Sequence, residues 1–218
     1  MTPITFWFDP ISPYAHLAFE RLPQALEGCS YVVDYRPVLF AGLLKQWGQL
    51  GPAEIGSKRD WTYRQVVWLA HRHGIDLQLP AVHPFNPLPL LRLLVACGRG
   101  GLANRHQCET VLRHVWTGGA EVDEPRRLAG LEARLQPARD PRSDAVKQEL
   151  RANTDAAIAR GIFGVPTLEV HRADAAAPRL FWGFDALDMV ADCLRGAEGF
   201  DQRWRAAVAV EAGVQRPR

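Results

Sequence analysis

The chain has 218 residues, of which 47% are hydrophobic and 23% charged, with 26 Lys and Arg against 24 Asp and Glu. That composition buries roughly 70% of the unfolded chain's surface, which excludes disorder as the main state. The net charge of +2 argues against a dedicated nucleic-acid or membrane-surface binder. No stretch reaches the ~18 consecutive apolar residues of a transmembrane helix. The opening Met1-Thr2-Pro3-Ile4-Thr5-Phe6-Trp7-Phe8-Asp9 has no basic segment before its apolar run, so a cytoplasmic protein without a signal peptide is expected.

Ile4 to Phe8 reads as a short strand ended by Asp9-Pro10. Ser12-Pro13 then carries a helix start, Ser at the N-cap and Pro at the first helical position. Ala15, Phe19, Leu22 and Leu26 form its apolar stripe, Pro23 should kink or shorten it, and Gly28 ends it. Tyr31 to Arg36 is β-branched and aromatic, a second strand stopped by Pro37. Strand, helix, strand within 36 residues predicts a parallel unit with a right-handed crossover.

From Phe40 to about Ala159 no strand is expected. The periodicity predicts helices near 39–47, 58–74, 87–98, 104–117, 124–136 and 143–160, the last with Ser143 at its N-cap. Loops are marked by Gly51-Pro52, Pro80 to Pro89 and Pro137 to Pro141. Strand character returns at Thr167–His171 and Arg179–Trp182 as a hairpin, followed by a helix from Asp185 to about Arg195. The polar, broken tail after Gly196 supports no firm element. The fold class is therefore α/β: a thioredoxin-like core with an inserted all-helical domain. The core is assigned to residues 1–38 and 152–197, the insertion to 39–151 and a C-terminal tail to 198–218.

The four cysteines, Cys29, Cys97, Cys108 and Cys193, form no C-x-x-C pair and read as ordinary buried or half-buried thiols. The seven histidines give no H-E-x-x-H, so no metal site is expected. The seven tryptophans read mostly as core and interface aromatics.

Three motifs carry chemistry. Phe8-Asp9-Pro10-Ile11-Ser12-Pro13-Tyr14-Ala15 puts a hydroxyl at a helix N-terminus directly after a strand. It is either a plain cap or an anion site, where free N–H groups and the helix dipole favour a negative ligand. Gly161-Ile162-Phe163-Gly164-Val165-Pro166-Thr167 places a Pro at a strand start, where a cis peptide or an ordinary edge proline fits. Phe181-Trp182-Gly183-Phe184-Asp185-Ala186-Leu187-Asp188 offers a further N-cap at Asp185, and Gly183 permits close backbone approach.

In this order the three motifs resemble the 2-hydroxychromene-2-carboxylate isomerase family, grouped with kappa-class glutathione transferases and DsbA-type oxidoreductases. The resemblance runs from Ile4 to about Arg195. It implies that Ser12 contacts a glutathione sulfur and that Val165, before a cis-Pro166, pairs with the cysteinyl part. Trp182, Gly183, Phe184 and Asp185 match the stretch that holds the γ-glutamyl end, with a carboxylate for its ammonium. Lys45 approximately matches a family lysine near an aromatic acid substrate, Gln49 stands where relatives often carry Asn, and Asn86 falls in a loop bordering that pocket. Gln65 and Trp68 stand where the family places an acid and a base one turn apart, so this wall is less charged. The implied partners are glutathione, a small aromatic acid and a second copy of the chain.

A thiol–disulfide oxidoreductase would need its thiol at the helix start, where this chain reads Ser12-Pro13-Tyr14-Ala15. A serine hydroxyl can instead donate to a thiolate that the ligand brings. The expected activity is a glutathione-dependent isomerisation by reversible thiolate addition. A kappa-like transferase and a non-catalytic ligand-binding protein are the alternatives.

Overall fold

The computed structural model describes residues 1–208 and Gly213. Strand β1 (Thr2–Phe8), helix α1 (Pro13–Ala25) and strand β2 (Tyr31–Pro37) open the chain. A helical block follows: α2 (Phe40–Trp47), a short 3-10 turn (Pro52–Glu54), α3 (Gly56–His73), α4 (Leu88–Cys97), α5 (Arg105–Trp116), α6 (Pro125–Leu135) and α7 (Asp144–Ala159). Strands β3 (Thr167–Val170) and β4 (Arg179–Trp182) and helices α8 (Leu187–Arg195) and α9 (Phe200–Ala207) complete it.

The sheet order is β2-β1-β3-β4. β1 and β2 run parallel, Phe6 opposite Tyr35, while β3 is antiparallel to both β1 and β4. The strand period of two sorts β1 between two cores. Ile4, Phe6 and Phe8 join Phe19, Leu22 and Val190, whereas Trp7 faces the other way onto Leu43, Ala157 and Val165. So α1 and α8 cover one face of the sheet, and α2 and α7 the other. The first core runs on without a break into the helical block through Val66, Leu94, Val111 and Trp116. The insertion thus packs as part of the core that holds the sheet, which matters for the site below. The chain is a thioredoxin-like α/β protein with a helical insert.

The structure departs from the sequence reading in four places. Helix α1 runs through Pro23 and ends at Ala25, before Gly28. In the last turn of a helix the missing N–H costs one bond only. The final core helix begins at Leu187 with Ala186 at its cap, so Asp185 lies in the preceding turn and is no N-cap. Residues Phe200–Ala207 of the supposed tail form α9, held where Phe200 and Trp204 stack at 5.9 Å and Trp204 meets Phe181 at 5.0 Å. Of the tryptophans, only Trp7 and Trp116 are fully buried, while Trp47, Trp61, Trp68 and Trp182 are exposed. No helix of the described residues is long and apolar enough to cross a membrane.

Candidate active site at the N-terminus of α1

Ser12 is the N-cap of α1, nearly buried, with its backbone extended at φ −86° and ψ 118°. Its Oγ accepts from the Ala15 N–H at 3.3 Å and donates to the Val165 carbonyl at 3.3 Å. The Val165–Pro166 peptide is cis, and β3 starts at the next residue. The first and second motifs therefore meet at one hydroxyl.

The first turn of α1 has fewer free donors than a generic helix start. Pro13 has no N–H, and the Ala15 and His16 amides bond to Ser12. Among the described residues, the Tyr14 and Val165 N–H groups have no protein partner. The helix start thus offers the Tyr14 amide and the Ser12 hydroxyl at the positive end of its dipole, with Val165 held against that hydroxyl through its carbonyl, and such donors suit an anion. The Tyr14 side chain leaves this group sideways, donating to Gln65 Oε1 at 2.6 Å.

The third motif borders the same place. Trp182 pairs in register with Thr167, and the Gly183 N–H donates to the Pro166 carbonyl at 2.9 Å. The Trp182 indole lies over Gly164, with its Nε1 2.4 Å from where a Cβ would stand there. Trp182 is 54% exposed and its ring centre is 4.9 Å from that of Phe163, an aromatic pair on the loop that leads into Val165. Gly183, at φ +98°, turns the chain so that the exposed Asp185 carboxylate folds back over it. Phe184 is buried against His73, so only its backbone is open to a ligand.

The residues matched to the second substrate are more scattered. Lys45 and Gln49 are exposed at the C-terminal end of α2 and just beyond it. Trp47, between them, donates to the Ile162 carbonyl at 2.9 Å, which ties that helix to the loop before Val165. Asn86 is exposed and its Oδ1 caps the Leu88 N–H at 3.1 Å, a local role that occupies its acceptor.

Three features of the loop from Asp9 to Ser12 escaped the sequence reading. Asp9 is wholly buried and accepts from the Ile11 N–H at 3.0 Å and the Phe40 N–H at 2.9 Å. Burial pushes its carboxyl up to about 7 against the opposing pull of these two bonds. Trp116 donates to the Pro10 carbonyl at 2.8 Å, and His83 Nε2 lies 2.8 Å from the Ile11 carbonyl. An acid directly after the apolar run Phe6-Trp7-Phe8 was a usable signal for Asp9. Nothing local marks Trp116 or His83, which reach the loop across 106 and 72 residues.

The cysteines are elsewhere: Cys108 and Cys193 are buried, Cys29 and Cys97 half-buried. Burial pushes the Cys97 thiol up to about 11 and raises Cys108 further from ionisation. An open polar groove of about 660 Å³, lined by His106, Glu109, Arg113, His114 and Arg134, holds none of the motif residues.

A helix N-terminus set against a cis-proline beside a mixed four-stranded sheet defines a thioredoxin-fold protein, and the residue at that N-terminus is Ser12. The chain belongs to the DSBA-like thioredoxin domain family, whose model matches residues 3–195. It is 28% identical over 207 residues to glutathione S-transferase kappa 2 of Caenorhabditis elegans, covering 88% of this chain and 91% of that one. It is 26% identical over 198 residues to the 2-hydroxychromene-2-carboxylate isomerase of Sphingobium xenophagum, covering 88% and 97%. A solved 2-hydroxychromene-2-carboxylate isomerase superposes with a TM-score of 0.71 at 24% identity, covering 95% of this chain and 100% of that one, a likeness of fold.

Proposed function

We propose that this chain is a glutathione-dependent isomerase acting on an aromatic-ring-degradation intermediate such as 2-hydroxychromene-2-carboxylate. One observation carries the reading: the Ser12 hydroxyl, at the N-terminus of α1, lies 3.3 Å from the carbonyl of the residue before the cis-proline, beside unpartnered amides of Tyr14 and Val165, and position 12 and the rest of that first turn hold no cysteine. The donors suit a sulfur anion that a ligand supplies. Lowering a thiol from ~8.5 by about two units needs ~2.7 kcal/mol of preferential anion stabilisation, within reach of a helix dipole and one hydrogen bond.

In this reading Val165 pairs through its backbone with the cysteinyl segment of glutathione, and Trp182, Gly183 and Asp185 hold the γ-glutamyl end. Lys45, Gln49 and Asn86 face the aromatic acid. The hemiketal ring first opens: its C2–O bond breaks, the hydroxyl proton passes to the phenol oxygen, and C2 becomes a carbonyl conjugated with the double bond. The thiolate then adds to the far carbon of that double bond, turning it into a single bond, and the electron pair moves onto the carbonyl. Rotation follows, the pair returns, and the thiolate leaves. Substrate and product have the same atoms and glutathione is regenerated. Cytoplasmic residence and assembly as a homodimer belong to the same reading.

The kappa-class relative favours a second outcome, in which the same thiolate adduct is retained and released as a conjugate. Calorimetric titration with glutathione, followed by turnover assays with 2-hydroxychromene-2-carboxylate and with aryl halide electrophiles, separates the two. Binding without turnover of either substrate would identify a ligand-binding protein. Absence of glutathione binding would overturn the proposal.

A further inference from the structure

We propose that His83 is a positioning residue that holds the Ser12 hydroxyl in place from the helical insert, acting through the carbonyl of Ile11. This rests on the reading of Ser12 as the thiolate's donor.

The Ile11 carbonyl and the Ser12 N–H belong to one rigid peptide plane. One side of that plane is held by His83 Nε2 at 2.8 Å, and the other by the Ser12 N–H donating to the Asp9 carbonyl at 3.0 Å. Turning the plane changes the Ser12 backbone angles and carries Oγ away from Val165. The serine's direction is therefore set by two bonds, one of them from a residue 72 positions on.

The imidazole is itself fixed. A carbonyl only accepts, so Nε2 carries the proton and Nδ1 presents its lone pair to the Tyr63 hydroxyl at 2.8 Å. Burial lowers the pKa of His83, which keeps this neutral form. Tyr63, Phe85 and Trp116 surround the ring at centroid distances of 5.7, 5.9 and 5.5 Å. Trp116 adds its own bond to the Pro10 carbonyl. The helical block thus supplies two of the bonds that hold the loop, whereas the sheet domain supplies the serine.

The test compares His83→Leu, which removes the donor, with His83→Gln, whose side-chain amide can reach the same carbonyl, and with Tyr63→Phe, which frees Nδ1. The first readout needs no ligand: amide hydrogen exchange at Ser12 and Ala15 in the full chain. His83→Leu should speed exchange about 2- to 10-fold, the factor one neutral hydrogen bond is worth, with His83→Gln near wild type and Tyr63→Phe between. The second readout is the thiolate absorbance of bound glutathione against pH, with kcat and KM. His83→Leu should raise the thiol pKa and lower kcat more than it changes KM for glutathione, and His83→Gln should restore both. Unchanged exchange at Ser12 in a folded His83→Leu protein would overturn the inference, as would unchanged exchange in Tyr63→Phe if His83→Leu fails to fold. Failure of wild type to bind glutathione would instead sink the functional reading, and the exchange readout would still decide the role of His83.

Discussion

The Ser12 hydroxyl stands 3.3 Å from the Val165 carbonyl across 153 residues of chain, and the same oxygen accepts from the Ala15 amide at 3.3 Å. Both distances are at the long end for hydrogen bonds, so each bond is weak. A hydroxyl held this loosely can turn its proton from the neutral carbonyl to an arriving anion at small cost, because a charge-assisted bond is the stronger of the two.

Ser12→Ala removes that donor while leaving the Tyr14 and Val165 amides and the helix dipole. Losing one charge-assisted bond costs about 1.5–3 kcal/mol, so turnover should fall roughly 10- to 150-fold. Glutathione affinity should fall much less, and the bound thiol's pKa should rise by about one to two units. Stability should drop by only ~1 kcal/mol for the lost cap. Thiolate titrations of wild type and variant with glutathione bound check this. Coincident curves leave Ser12 as a cap and nothing more.

Asp9 makes the protein's stability depend on pH in a direction opposite to the usual carboxylate. Its folded pKa is raised from 3.8 to about 7, so between those values the folded state holds a proton that the unfolded chain has released. The folded state then binds more protons, and stability falls as pH rises through the window. The contribution is fully present below about pH 4, lost above about pH 7, and spans up to ~4 kcal/mol. Asp9→Asn cannot titrate. The stability difference between wild type and Asp9→Asn, from urea unfolding at several pH values, should therefore shift against wild type as pH rises. A pH-independent difference would show that Asp9 stays ionised throughout.

Trp116 contributes both volume and one donor to the loop, and Trp116→Phe separates them from the serine chemistry. The variant leaves the buried Pro10 carbonyl without its partner and opens space beside His83. Together these should lower stability by about 2–4 kcal/mol in denaturant unfolding. A loss under ~0.5 kcal/mol would mean that water or a repacked ring satisfies the carbonyl.

Most of the fold was legible because local signals and tertiary structure agree. Ser12, Asn104 and Ser143 cap α1, α5 and α7 through their side chains, and these helices lie within a residue or two of where periodicity puts them. Helix α9 was not legible. Its large apolar side chains are the i, i+4 pair Phe200 and Trp204 amid charge, and what secures it is contact with Phe181 and the Arg179–Asp201 bond, both long-range. Asp185 misled for a related reason: it looks like a cap, but the turn at Gly183 is spent before the helix begins at Leu187. At the site, the motifs announced Ser12, Val165 and Trp182. The loop's bonds to His83 and Trp116 come from packing of the insert and have no signature in spacing.

Two glycines beside the cis-proline should respond to the same substitution in different ways. Gly183 sits at φ +98°, and a Cβ there would stand 2.5 Å from the Asp185 carboxylate, so Gly183→Ala meets backbone strain as well as crowding. It should lose about 1–3 kcal/mol of stability. Gly164 has no such backbone angle, and the atoms nearest the Cβ of Gly164→Ala would all belong to the Trp182 indole. That indole is 54% exposed and can swing outward, so thermal stability should change by less than ~1 kcal/mol. If Trp182 contacts glutathione as proposed, displacing the ring should lower glutathione affinity by calorimetry several-fold, about 1 kcal/mol for a partly exposed aromatic contact. Tryptophan emission of the free protein reports whether the ring has moved. A shifted emission with unchanged affinity would remove Trp182 from the binding site, whereas a Gly164→Ala protein as destabilised as Gly183→Ala would mean that the indole is fixed rather than free to turn.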